Sequence, residues 1–299
     1  MADTKTLPVR GIPPPPPVRP EYLRDTVSGD MGVVQKPLTV WQKLVNQAWL
    51  RKAFILVVIA SAWQTYASFL NNPLLVPTFS STVEAFVAGV TSGDIPQKMV
   101  NSVRLLLKGY ALGLFLAMCF TALAMMSRIG NDLLETLTSA FNPLPAIALL
   151  PLALIWFGLG DMSIMFVLVH SVLWAVALNT HSGFRSVSNT MRMVGRNYGL
   201  RGPRFMAQIL IPAAFPSILT GLKIGWAFAW RTLIAAELVF GVSSGKGGLG
   251  WYIYENKNML DIPAVFAGLL TVILIGLVVE NLFFRNIEAA TVKRWGMQN

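Results

Sequence analysis

The amino-acid sequence predicts an all-α polytopic membrane protein with about six transmembrane helices, and three observations carry that prediction. Of 299 residues, 54% are apolar and 13% charged, where an ordinary soluble domain carries roughly a quarter charged residues. The mean hydropathy of +0.57 means more apolar side chain than one soluble core can hide. Several windows reach the roughly 20 apolar residues that cross a bilayer. The 24 Lys and Arg against 14 Asp and Glu, a net charge of +10, fall between these windows. A nucleic-acid binder would instead gather such charge on one folded face. The single Cys119 sits inside an apolar block, so no intrachain disulfide can form.

Residues 1–50 read as a Pro-rich, basic cytoplasmic tail, partly disordered, and residues 51–299 as the transmembrane domain. Pro13 to Pro17, flanked by Arg10 and Arg19, favour a solvated polyproline II segment. They stand where a secretory signal would place its apolar stretch. A docking site for a proline-binding protein is the other reading of this run. The first span runs from Ala53 to Leu70. Residues 74–102 suit a short amphipathic helix at the membrane surface, with Val83, Phe86, Val87 and Val90 on its apolar side. The second span covers Val103 to Met126, with Arg104 and Lys108 near its start, where they can snorkel. Leu133 to Phe157 is interrupted by Pro143, Pro145 and Pro151 and predicts a kinked or broken helix, tolerated at membrane depth where protein or a watery cavity satisfies the backbone. A fourth span covers Ser163 to Thr180, a fifth Ala213 to Phe240 and a sixth Ile262 to Phe284.

With six spans both ends share one side. Counting eight cations in the N-terminal tail, Arg128, five between Arg185 and Arg204, and three at the C-terminus, that side holds 17 of the 24 Lys and Arg. The opposite side holds five (Lys98, Arg104, Lys108, Lys246 and Lys257). Positive charge marks the cytoplasmic side, so both termini are expected there.

Catalytic chemistry finds little support. Gly245-Lys246-Gly247-Gly248-Leu249-Gly250 matches a dinucleotide-binding glycine pattern, but it joins two membrane helices and lacks the βαβ context and the Ser or Thr of a P-loop. It reads as a flexible external loop. His170 and His181 share a helix face but stand roughly 16 Å apart in rise, too far for a shared metal. Between Leu133 and Ala236 the only carboxylates are Glu135 and Asp161, which leaves no acid–base pair or metal cluster. No catalytic residue, no metal and no cofactor held by this chain are expected.

The informative stretch is the loop at about 185–212. Ser188 can cap a helix that places Met191, Val194 and Tyr198 on one face and Arg192 and Arg196 on another. Gly199 ends it, Pro203 opens a second short helix through Ile209, and Pro212 marks the return to the membrane. Such an elbow, with an exposed apolar stripe, suits a protein partner. In the fifth span Lys223, Arg231 and Glu237 are costly at bilayer depth, and such groups usually face a bundle interior or a water path. His170 and Asn179 are further polar residues within spans.

The frame of Gly199 followed after nine residues by Ile209-Leu210-Ile211-Pro212 resembles the loop motif of permease subunits of binding-protein-dependent ABC importers. Met193-Val194-Gly195 stands where that motif has Glu-Ala-Ala. Over residues 75–295 the likeness extends to Asn142-Pro143-Leu144-Pro145, Trp156-Phe157-Gly158-Leu159-Gly160-Asp161, Asn179-Thr180, Pro212-Ala213-Ala214-Phe215-Pro216, Thr220-Gly221-Leu222 and Ala235-Ala236-Glu237, which read like the nitrate/sulfonate/taurine branch. The resemblance implies a type I ABC importer permease fold in the bacterial inner membrane, moving a small anion such as an aliphatic sulfonate, taurine, nitrate or bicarbonate inward. It implies a coupling loop made of Met191, Arg192, Val194, Arg196, Tyr198, Gly199, Pro203, Ile209 and Pro212, seated on an ABC ATPase subunit that carries ATP and Mg. A periplasmic binding protein, a second permease copy in a homodimer and membrane lipid complete the expected partners, with no nucleic acid. Arg231, Glu237, His170 and Asn179 are the candidates for the translocation path. A secondary transporter working without an ATPase is the alternative, although no inverted repeat supports it; a membrane scaffold is a third.

Overall fold

The computed structural model describes residues 46–240 and 247–294. The proline run and the tail up to residue 45 lie outside the described residues, as do 241–246 and 295–299. The chain divides into residues 1–55 and a body of residues 56–299. Every regular element among the described residues is helical. Five helices are long and apolar enough to cross a membrane, and a sixth crossing is available if one sharply bent pair counts as a span.

Helix α1 (Ala48–Leu70) starts earlier than the expected Ala53. Ala67 is its one buried residue among those described, and Leu56, Ile59 and Phe69 are exposed, as a lipid-facing span requires. Trp63 holds it: Nε1–H donates to the Pro77 carbonyl at 3.0 Å and the ring packs on Phe79 and Phe266. Helix α2 (Phe79–Thr91) is capped by Thr78, whose hydroxyl accepts the Ser81 N–H at 3.2 Å. This is the expected short helix, but it packs against α11 (Ile262–Val278). It also ends sooner than residue 102, because α3 (Asp94–Met126) begins at Asp94 rather than Val103. Asp94 complements the positive end of that helix, and Pro96 falls in a first turn, where no donor is missed.

The third block breaks as the prolines demand. Helix α4 (Arg128–Phe141) is capped by Ser127, which accepts the Gly130 N–H at 2.9 Å. It stops at Asn142, before Pro143 and Pro145. A 3-10 turn over Ala146–Leu149 leads into α5 (Leu150–Phe157), and the two halves meet at 89°.

Helix α6 (Asp161–Ser186) is the centre of the body: 61% of its most apolar stretch is buried, against 6% in α1. Close approach explains this. Where α3 crosses it, a Cβ on Gly109 would lie 2.8 Å from Leu168 Cβ; where α9 (Ile211–Phe240) crosses it, one on Gly221 would lie 2.8 Å from Asn179 Cβ. Small residues at helix crossings are the membrane substitute for hydrophobic association. The Tyr110 hydroxyl also donates to the Leu222 carbonyl at 2.9 Å, tying α3 to α9.

Between α6 and α9 lie α7 (Asn189–Asn197) and α8 (Gly202–Phe205). Here the chain departs from expectation: the second short helix does not end at Ile209, and 202–239 is continuous. A π-turn over Met206–Leu210, in which the Ile211 N–H bonds back to the Met206 carbonyl, lets the helix run through Pro212 although proline has no donor. After the described residues resume, α10 (Leu249–Asn258) precedes α11, and helical segments carry the last span past the expected Phe284 to Val292. Lys223 Nζ meets Glu288 at 2.6 Å and Glu280 at 4.0 Å, so this costly cation is paired with the C-terminal segment.

Candidate functional site

The elbow forms from local rules. Ser188 Oγ accepts the Met191 N–H at 3.3 Å. At the other end of α7, Gly199 has φ +74, and the Leu200 N–H reaches the Gly195 carbonyl (3.1 Å) while the Gly199 N–H reaches that of Arg196 (2.9 Å). This paired closure needs a left-handed residue at Gly199. Met191 (46% exposed), Val194 (43%) and Tyr198 (82%) project outward. Pro203 sits in the first turn of α8 and Ile209 is half-buried.

The two arginines of the elbow part company. Arg192 folds inward: Nε donates to the Val187 carbonyl at 3.1 Å and a terminal nitrogen donates to that of Phe184. It thereby satisfies carbonyls at the C-terminal end of α6, where a cation is favoured. Arg196 is exposed. Gly195, the last residue of the Met193-Val194-Gly195 departure, is buried, and a Cβ there would lie 2.8 Å from Ile209 Cγ1 and 2.9 Å from Phe205 Cε2. Helix α7 is thus seated on the start of the continuous α8–α9 rod.

A cavity of about 360 Å³ lies where α6, α9 and the α4–α5 break meet. His170 and Trp174 line it one turn apart on α6; Phe228, Arg231, Thr232 and Ala235 line it on one face of α9; Asn142 to Ile147 close it from the break. Arg231 is exposed, and among the described residues no carboxylate pairs with it. A cavity at a broken helix is where irregular backbone is permitted at membrane depth. Asn142 and Pro143 also line a second cavity, of about 410 Å³, with Glu135, His181 and Arg185. His181 and Arg185 continue into a third, with Arg128 and Arg192. The three follow α6 from Arg231 to the elbow.

Of the four polar residues singled out in the spans, His170 and Arg231 come together at the first cavity, and Glu237 and Asn179 do not. Glu237 is 4% exposed. Ser102 Oγ donates to its carboxylate at 2.8 and 2.9 Å, and its Oε2 accepts the Gly250 N–H at 2.8 Å. Ser102 Oγ in turn accepts the Leu249 N–H at 2.8 Å. The pair therefore satisfies the first free donors of α10. This also corrects the reading of the glycine run as a flexible loop in its described half: a Cβ on Gly248 would lie 2.1 Å from Glu237 Oε1, so Gly248 is packed against the carboxylate. Asn179 donates to the Ala175 carbonyl at 2.7 Å in its own helix and packs against Gly221. Among the described residues no three His, Cys, Asp or Glu side chains gather as metal ligands.

Residues 109–290 match the family of binding-protein-dependent transport system inner membrane components. The chain belongs to this family. It is 31% identical to an ABC transporter permease protein of Methanocaldococcus jannaschii over 73% of this chain and 82% of that one. It is 28% identical to the aliphatic sulfonates transport permease protein SsuC of Escherichia coli over 75% of this chain and 84% of that one, and 29% identical to the taurine transport system permease protein TauC of the same organism over 75% and 82%. The chain is thus a multi-pass inner-membrane permease component of an ABC importer, which sets aside secondary transport and a scaffold.

For this permease, sequence reasoning overlooked three kinds of residue. Asn142 and Pro143 were visible as breakers but not as cavity walls, although breaks at membrane depth line cavities. Ser102 had no signal, because its partner Glu237 lies 135 residues away. Trp174 read as one more apolar residue in a span.

Proposed function

We propose that this permease pairs with a second copy of itself and with ABC ATPase subunits that hold ATP and its Mg, and passes a small anion delivered by a periplasmic binding protein into the cytoplasm. The cargo class is an aliphatic sulfonate, taurine, nitrate or bicarbonate. Both termini and the elbow face the cytoplasm, in keeping with the placement of Lys and Arg.

One observation carries this reading: the elbow that exposes Met191, Val194 and Tyr198 is bolted to the same two helices that line the Arg231 cavity. Arg192 ties it to the end of α6, and Gly195 seats it on the start of the α8–α9 rod. A push on α7 is therefore applied to the end of α6 and to the start of the α8–α9 rod. Closure of the ATPase pair on ATP would shift the population between inward- and outward-facing states through this contact, since ATP binds the closed state more tightly. Arg231 supplies the positive charge that draws the anion inward, and His170 stands opposite it.

The test is co-purification of the permease with its ATPase after coexpression. Tyr198→Asp and Met191→Asp should release the ATPase and abolish uptake while the permease stays folded in the membrane. Undiminished co-purification and uptake would overturn the coupling role of α7.

A further inference from the structure

Three of the four buried, unpartnered side-chain polar atoms among the described residues belong to two residues that line the Arg231 cavity, Nδ1 and Nε2 of His170 and Nε1 of Trp174; both residues also line a neighbouring apolar cavity beside Trp156 and Phe166. Trp174 is 7% exposed. A buried N–H without an acceptor is costly in any protein. Its position is also tightly held. The ring stacks on Phe141 at 5.3 Å between centroids and 14° between planes; it also contacts Phe120 at 6.0 Å and His170 at 6.3 Å. Since an indole N–H donates and cannot accept, Trp174 can be satisfied here by an acceptor alone.

We propose that Trp174 is an anion-reading residue of this cavity: its Nε1–H donates to an oxygen of a bound oxyanion whose charge is balanced by Arg231, with one ring N–H of His170 as a second donor. The proposal rests on the reading of this cavity as the translocation path and adds to it the group that sets specificity. Arg231 supplies the charge and, through its planar fork of N–H donors, a first preference for oxyanions; Trp174 adds a donor fixed in position. A rigid donor selects for a directed lone pair, and a site built to hydrogen-bond its ligand rejects analogues that lack the acceptor. The rest of the wall mixes the apolar Phe141, Ile147 and Phe228 with the side chains of Asn142 and Thr232, so Trp174 is distinguished by its fixed position and its lack of any other acceptor. Chloride, which has the charge without oxygen acceptors in fixed directions, should be read poorly.

The full-length permease, labelled with 15N at its tryptophan indoles and held in nanodiscs, gives a direct test. The chain has nine tryptophans, and Trp174→Phe identifies the relevant signal. Titration with ethanesulfonate or with nitrate should move the Trp174 indole N–H downfield to saturation, at concentrations at least about tenfold lower than chloride needs, and Arg231→Gln should remove the response. A Trp174 signal that stays still, or that chloride moves equally well, would overturn the proposal. In the assembled transporter Trp174→Phe should raise the half-saturating anion concentration for uptake about tenfold with a near-normal maximum, whereas a purely structural role would lower the maximum. Trp174→His, which restores a ring N–H, should recover part of the loss. Failure of the coupling reading would appear separately, as an ATPase that ignores α7.

Discussion

Arg231 and Glu237 lie less than two turns apart on α9 and are both ionisable side chains of a kind the bilayer disfavours, yet the structure treats them in opposite ways. Glu237 is buried and satisfied by Ser102 and by the N-terminal donors of α10. Arg231 is exposed to a cavity and has no carboxylate partner among the described residues. Charge in a membrane span therefore marks two different things. A satisfied charge holds helices together, and an unsatisfied one facing a cavity is left for a ligand. The elbow repeats the contrast, with Arg192 spent on the end of α6 and Arg196 turned outward.

The contrast breaks most visibly at the anchor. Glu237→Ala removes the acceptor for Ser102 and for the Gly250 N–H and should cost about 3 kcal/mol, seen as a lower thermal midpoint in detergent together with lost uptake. An unchanged midpoint would erase the distinction between the two charges. Gly248→Ala attacks the same anchor from the other side. Its Cβ would meet Glu237 Oε1 at 2.1 Å and Ser102 Oγ at 2.2 Å, and about 2 kcal/mol of stability should be lost as α10 shifts. Arg231→Gln should leave the thermal midpoint within about 1 °C and reduce anion uptake about tenfold, equivalent to about 1.4 kcal/mol; a large stability loss would mean that Arg231 is structural after all. The smallest effect is expected at the elbow. Arg192→Gln should lose about 0.5–1 kcal/mol of helix-end stabilisation, whereas Arg196→Gln should leave stability unchanged and weaken ATPase co-purification. Equal effects of the two would remove the parallel.

Much of this is legible in the sequence alone. The Ser188 cap, the Gly199 stop and the Pro203 start are rules acting over four or five residues, and each holds at the predicted position. The prolines at 143 and 145 foretold a break. Boundaries were less legible: Val103 and Ile209 looked like limits because polar residues or a proline lay beside them. The helices continue, since a first-turn proline and a π-turn each absorb a missing donor. The roles of Glu237 and Asn179 were illegible for a different reason. Both are polar residues in a span, and nothing nearby in sequence tells that Ser102 and Gly250 will meet one and Gly221 the other.

The sequence by itself determined that this chain is a bundle of membrane helices with a capped elbow, because apolar run length, capping and proline chemistry are local. Only the tertiary structure decided which charges are spent and which remain available. That depends on contacts across 135 residues between Ser102 and Glu237 and on the meeting of α6, α9 and the α4–α5 break around Arg231, His170 and Trp174. The physical reason is that a buried polar group takes its meaning from its partners, and in a helical bundle those partners sit on other helices.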